Sequence, residues 1–175
     1  MRAPLPPSRR RSQRGAAAVE FALVLPLLMA LFFGILDYGL WFNNSLGLRQ
    51  GVREAARQGV VADFTHCSTS PAPSTDLAKL TCATKREIGP IAGSSYARVK
   101  VPGGTWTKGK TVVVCGLTRT KGLTGFTPLP NSGWIRSKTT MSIEADATAP
   151  TGMNSVSDTL PAGTPASMAW STWCA

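Results

Sequence analysis

Arg14-Gly15-Ala16-Ala17-Ala18-Val19-Glu20-Phe21 joins an arginine-bearing leader to an apolar run that continues to Phe42 with one further charge, Asp37. Phe21 to Phe42 rises about 33 Å as a helix, which matches the roughly 30 Å of a bilayer's hydrocarbon. A cleavable secretory signal has a shorter apolar region followed by a small-x-small cut, so this helix is expected to stay with the protein as a span over about residues 21–42. Five arginines precede the run (Arg2, Arg9, Arg10, Arg11 and Arg14), against Arg49, Arg53 and Arg57 soon after it. That balance favours a cytoplasmic N-terminus and an extracytoplasmic remainder. Ser8-Arg9-Arg10 has the paired arginines of a twin-arginine signal, but Arg11, Ser12 and Gln13 follow where such a signal carries an apolar pair.

Gly15 presents no side chain to a protease, and the arginines before it hold the Gly15-Ala16 bond at an acidic lipid surface. A cut there would create a positive amine on Ala16. Glu20 lies four residues along the same helix, and an acid at the edge of hydrocarbon costs a few kcal/mol unless paired. The Ala16 amine can meet it at i,i+4 within one chain or from a neighbouring subunit, where it would set register; alternatively Glu20 reaches back to interfacial water. Pro26 lacks the N–H that would bond the carbonyl of Ala22, so a kink or loosened turn is expected, unless the proline is merely tolerated. Asp37 stands about 25 Å above Glu20 by helical rise. It faces either a partner subunit or the headgroups, and Gly34 and Gly39 beside it allow close helix approach.

After the run the chain steps in fours. Gly47, Gly51, Ala55 and Gly59 form a small-residue row; Leu48, Val52, Ala56 and Val60 an apolar row; Arg49, Arg53 and Arg57 a basic row; Gln50, Glu54 and Gln58 a polar one. Residues four apart line one ridge of a helix, so the bare row is a groove open to close packing. Glycine in a helix costs roughly 1 kcal/mol relative to alanine, so a close contact should offset it, made by the protein's own sheet or by another chain. The arginine row reads as a solvated face. One continuous helix over about 16–61 is expected, followed by a second helix, Asp76 to about Ile88, capped by Ser74 or Thr75 and ended by Gly89-Pro90. Tyr96 to Val101, Thr111 to Leu117 and Lys138 to Thr148 alternate as strands, with a hairpin at Gly103-Gly104. Thr118 to Gly133 is a long loop, expected with Phe126 and Trp134 to form a variable surface.

Cys67, Cys82, Cys115 and Cys174 all follow the run, on the side where disulfides persist. Four cysteines allow three pairings; Cys67 with Cys82, closing a short loop, and Cys115 with Cys174, tying the tail, is the preferred one. A metal site is disfavoured, since there is no C-x-x-C and His66 is the lone histidine. From Ala149 the Pro, Ser, Thr, Ala and Gly composition suggests a poorly ordered tail, interrupted by Trp170, Trp173 and Cys174, which either cover an apolar patch or serve as a docking signal. The organisation expected is thus a basic leader (1–15), a long helix (16–61), an extracytoplasmic α+β domain (62–148) with a short second helix and a small antiparallel sheet, and a tail (149–175).

The segment Arg14 to Pro26, the stretch Phe33-Gly34-Ile35-Leu36-Asp37-Tyr38-Gly39 and Arg53-Glu54-Ala55-Ala56-Arg57 closely resemble TadE-like proteins, pseudopilins or minor pilins of the Flp/Tad pilus machinery. The resemblance spans roughly residues 14–61. It implies a pilin-like fold, cleavage by a membrane prepilin peptidase between Gly15 and Ala16, Glu20 as the signature acid of the mature helix, and other pilin-like or Tad subunits as partners.

The net charge of +10 is half leader: five of nineteen Lys and Arg lie in it, and nine Asp and Glu oppose the rest. No general acid and base pair and no phosphate-binding glycine loop assembles, so no enzyme and no cofactor is expected. The leader lacks aromatic residues for stacking, so nucleic acid is not an expected partner, whereas membrane lipid is. A structural assembly subunit is the leading reading. The alternative is a membrane-anchored extracytoplasmic binding module that keeps its leader and uses Arg98 and Lys100 to hold an acidic polymer.

Overall fold

The apolar and small rows of the first helix dictate what can stand against it, and the chain folds back to supply both surfaces. The computed structural model describes residues 12–65, 67, 73–89, 93–125, 127–145 and 155–175; His66, Phe126 and the leader up to residue 11 lie outside these. Helix α1, Ser12–Val60, is one element that passes through Pro26. Its end is closed by Ala62 in a left-handed conformation (φ 57°), with the Ala62 N–H on the Gly59 carbonyl. The backbone N–H groups of Glu144 and Ala145 bond the Val60 carbonyl at 3.1 and 3.2 Å, satisfying a helix terminus that would otherwise be orphaned.

Helix α2, Asp76–Ile88, starts at Thr75, whose hydroxyl oxygen accepts the Ala78 N–H at 3.2 Å. Its face Leu77, Leu80, Thr84 and Ile88 is buried. Thr81 and Thr84 donate to the Leu77 and Leu80 carbonyls, so the buried hydroxyls of α2 are satisfied within the helix.

The small row of α1 is filled by α2. A Cβ on Gly51 would stand 2.7 to 2.8 Å from backbone atoms of Glu87 and Ile88, and one on Gly59 would stand 3.0 Å from Leu80 Cδ2. Ala55 is fully buried in the same seam, and Gly47 lies beside the Ile88 carbonyl. The groove expected to take a sheet or another chain is therefore closed by this chain's own second helix, because only a bare helix surface lets the last turn of α2 approach to backbone contact.

Strands β1 (Gly93–Lys100), β2 (Thr111–Thr120), β3 (Trp134–Ser142) and β4 (Ser155–Ser157) form one antiparallel sheet in the order β3-β2-β1-β4. The fold is α+β. The third strand starts at Trp134, earlier than expected, and ends at Ser142, since pairing with β2 runs from Arg119↔Trp134 to Thr111↔Ser142. Beyond it Ile143 turns inward, 1% exposed, to bond Lys110, and residues 146–148 lie outside the described ones. Trp134, expected on a variable surface, is buried.

β2 is the centre of two layers. Val112 and Val114 join Leu48, Val52, Ala56 and Val60 of α1 and Leu77, Leu80 and Ile88 of α2 in one cluster. Gly116 keeps that contact close: a Cβ there would meet Val52 Cγ2 at 2.6 Å. Val113, Cys115 and Leu117 point the other way, into a cluster with Trp134, Met168, Trp170 and Cys174. The tail is thus structured over 155–175: it adds β4 and a short helix α3 (Trp170–Trp173), and it covers the outer face of the sheet. Trp170 Nε1 donates to the Asp158 carbonyl and Trp173 Nε1 to the Met168 carbonyl, both at 3.0 Å. Disulfides join Cys67 to Cys82 and Cys115 to Cys174, with Cα separations of 5.9 and 6.2 Å.

Two outcomes follow from this packing. Gly51→Ala lowers stability by about 1–3 kcal/mol, because the methyl meets rigid backbone, while Gly47→Ala, whose Cβ has ordinary room at 3.8 Å, gains up to about 1 kcal/mol of helix propensity; urea unfolding in detergent measures both. Replacing Cys115 and Cys174 together by serine removes a 59-residue link and lowers stability by about 4 kcal/mol on the chain-entropy account, read from the same unfolding curves.

Candidate functional site

Two acids interrupt the apolar part of α1, and the fold treats them oppositely. Asp37 is fully buried although its helical neighbours Ile35, Leu36 and Tyr38 are exposed. The cover is the loop 121–129 between β2 and β3, which descends along α1. The Leu123 N–H donates to Asp37 Oδ1 at 2.7 Å, and the hydroxyls of Thr124 and Thr127 each donate to Oδ2 at 2.5 Å. Such charge-assisted bonds are about twice as strong as neutral ones. Gly122 permits the approach, since a Cβ there would stand 3.3 Å from Asp37 Oδ2. Gly125 supplies the turn at φ +70°.

The clasp has flanking pins. Tyr38 donates its hydroxyl to the Pro128 carbonyl at 3.1 Å, and Asn44 Nδ2 donates to Thr120 Oγ1 at 3.0 Å in a buried setting. On the far side of Asp37, the nearest atom to a Cβ on Gly34 is Thr127 Cγ2, at 3.9 Å. Asp37, read from the sequence as facing a partner subunit or the headgroups, is bonded by this chain's own loop, and Gly34, read as allowing close helix approach, lies beside Thr127 of that loop. Gly39 has open space around it.

Gly15, Ala16 and Glu20 lie on the exposed first turns of α1, and among the described residues Glu20 has no ion-pair partner. Around and above it Leu23, Leu27 and Ile35 are 75%, 72% and 64% exposed. α1 is long and apolar enough to cross a membrane, and the apolar window that qualifies it has no part buried in the molecule. The basic row Arg49, Arg53 and Arg57 is exposed; the pair from Arg57 to Glu54 at 3.9 Å is solvent-facing and contributes little. Among the described residues no three His, Cys, Asp or Glu side chains converge as a metal-ligand set.

Sequence reading missed Thr124, Thr127, Asn44 and Thr120 as partners. The available signal was indirect: a carboxylate inside an apolar run requires donors, and the Gly-Leu-Thr-Gly-Phe-Thr stretch is rich in them. Asp37→Ala strands three donors and is expected to cost about 2–4 kcal/mol locally. The readout is tryptic cleavage after Lys121, an exposed residue at the loop's start, which becomes up to about tenfold faster for each 1.4 kcal/mol that the clasp loses; an unchanged rate refutes the clasp's contribution.

Among protein-family models, that of the TadE-like protein matches residues 15–57. No curated protein and no solved structure matches the chain. The matched segment begins at Gly15, includes both acids, and ends with the last arginine of the basic row. Over residues 15–57 the long N-terminal helix of this chain is similar to that of TadE-like proteins.

Proposed function

We propose that the chain is a pilin-like structural subunit of a Tad-type pilus or related secretion apparatus, made as a precursor with a leader (1–15) and trimmed by a prepilin peptidase between Gly15 and Ala16. The observation that carries this reading is the combination, in one helix, of the TadE-like match over 15–57 and an apolar surface left wholly outside the folded domain. A helix with that surface needs lipid or other helices around it. The N-terminus lies inside, the domain built from residues 62–148 and its tail 149–175 lie outside, and the protein is held in the cell membrane before any release into a pilus.

Glu20 is the acid that assembly uses. Among the described residues it has no ion-pair partner, and residue 16 is still in peptide linkage in the unprocessed chain. Cleavage supplies the missing cation, either on the same helix or on a neighbouring subunit, and the second arrangement fixes the axial register of subunits. Pro26 and Gly39 lie on the same lipid-facing length and are open to helix partners there.

The alternative, an anchored module gripping an acidic polymer through Arg98 and Lys100, loses support from the fold. Arg98 lies opposite Cys115 and Lys100 opposite Val113, both on the outer face that the tail covers, and the Arg98 Nε is buried. The test is intact mass of membrane-extracted protein. A chain beginning at Ala16 is expected; an intact N-terminus overturns the reading. In the same host Glu20→Gln should leave cleavage in place while abolishing co-purification with other pilin-like subunits, and full retention of those subunits removes Glu20 from the assembly role.

A further inference from the structure

We infer that the loop formed by residues 121–125 and 127–129 is a membrane-inserted element, lodged in the interfacial zone of the leaflet that faces the folded domain, with Leu123 in contact with lipid. The inference rests on the membrane-span reading of α1 given above. If the hydrocarbon begins near Glu20, its roughly 30 Å thickness is used up after about twenty residues of helix, at about Leu40. Asp37 then lies about 4–5 Å and Gly34 about 9 Å beneath that boundary. The loop is fixed at that depth by contacts to Gly34, Asp37 and Tyr38, and so descends past the boundary alongside the helix.

The chemistry of the loop suits the location. Leu123 is 67% exposed, as open as Ile35 at 64%, and it belongs to neither buried apolar cluster of the described residues. Four of the loop's polar groups are spent on the helix: the Leu123 N–H and both threonine hydroxyls on Asp37, the Pro128 carbonyl on Tyr38. Irregular backbone at membrane depth is tolerated only where its polar groups are satisfied by protein. Lys121, exposed at the upper end of the loop, is placed to reach back to headgroups. The occupant of this surface is phospholipid, because the exposed leucine continues the apolar band of α1 without a break in depth.

The test uses the full chain reconstituted in phosphatidylcholine vesicles, with an environment-sensitive NBD label on a single introduced cysteine, the four native cysteines being bonded to one another. Labels are placed at Leu123→Cys, at Leu28→Cys in mid-helix, and at Lys110→Cys in an exposed turn far from the loop. The expected result is a blue-shifted Leu123 site quenched severalfold more by lipid-borne nitroxide than the Lys110 site, and more by shallow nitroxide than by deep. If Leu28 is lipid-quenched while Leu123 reads as water, the loop inference falls and the span stands. If both read as water, the span reading falls and carries the inference with it. A blue-shifted Leu123 that lipid nitroxide does not quench places protein, such as a second copy, on the loop and also overturns the inference. Retained trypsin resistance at Lys121 certifies that the labelled loop is still docked.

Discussion

A single helix of 49 residues has an apolar surface with no cover over its first half and a protein core against its second half. Its side-chain pattern must change where its surroundings change, and Asp37 stands at the change. Below it the apolar residues point all round the helix and are exposed; above it Leu48, Val52, Ala56 and Val60 are confined to one stripe and buried. An isolated carboxylate in such a run would be costly. Three donors from one short loop remove that cost, and in doing so they tie the β2–β3 connection to the helix and set the height of the sheet along it. The sheet's hold on α1 is therefore polar at one end, through Asp37 and Asn44, and apolar along the rest.

The second half of the fold follows from closing both faces of β2. One face rests on α1 and α2, and backbone-close contact at Gly51 and Gly116 makes that layer thin. The other face would be an open apolar surface of valine and leucine if the chain stopped after β3. The tail covers it, with Trp170 and Trp173 making indole hydrogen bonds to nearby carbonyls and Arg136 donating to the Ser167 carbonyl at 2.9 Å. Cys174, bonded to Cys115 in the centre of the sheet, fixes the far end of the cover. A small domain gains most from such a link because its core alone is modest.

The elements written by local pattern were legible in the sequence. The four-residue step after Gly47, the face of α2 with its threonine cap, and the alternation in β1 and β2 each follow from spacing alone. The pairing of the small row was not legible, since a glycine groove announces close contact without naming the contacting element, and α2 is the element that supplies it. β3 was misplaced for a similar reason. Its register is set by β2, and the buried run Trp134-Ile135 does not alternate. The tail was obscured by composition: its Pro, Ser and Thr content resembles disorder, and order comes from two tryptophans and a cysteine whose partners are far away in sequence. The threonines that hold Asp37 stand 87 and 90 residues from it, a separation that no local pattern bridges.

The contrast between the two acids constrains how the helix is used. Asp37 is satisfied by its own chain, and the groove from Gly47 to Gly59 is lined by its own α2. Glu20 has no such cover, and the helix around it is exposed on every side. The lower half of α1 is an apolar surface that the described residues leave uncovered, and Glu20, without an ion-pair partner among them, is a directional feature within it. Apolar side chains alone would tolerate many offsets between neighbouring helices, since sliding one past another changes little buried area. A charge that must find a cation permits few, and on that ground the role proposed for Glu20 is to set register.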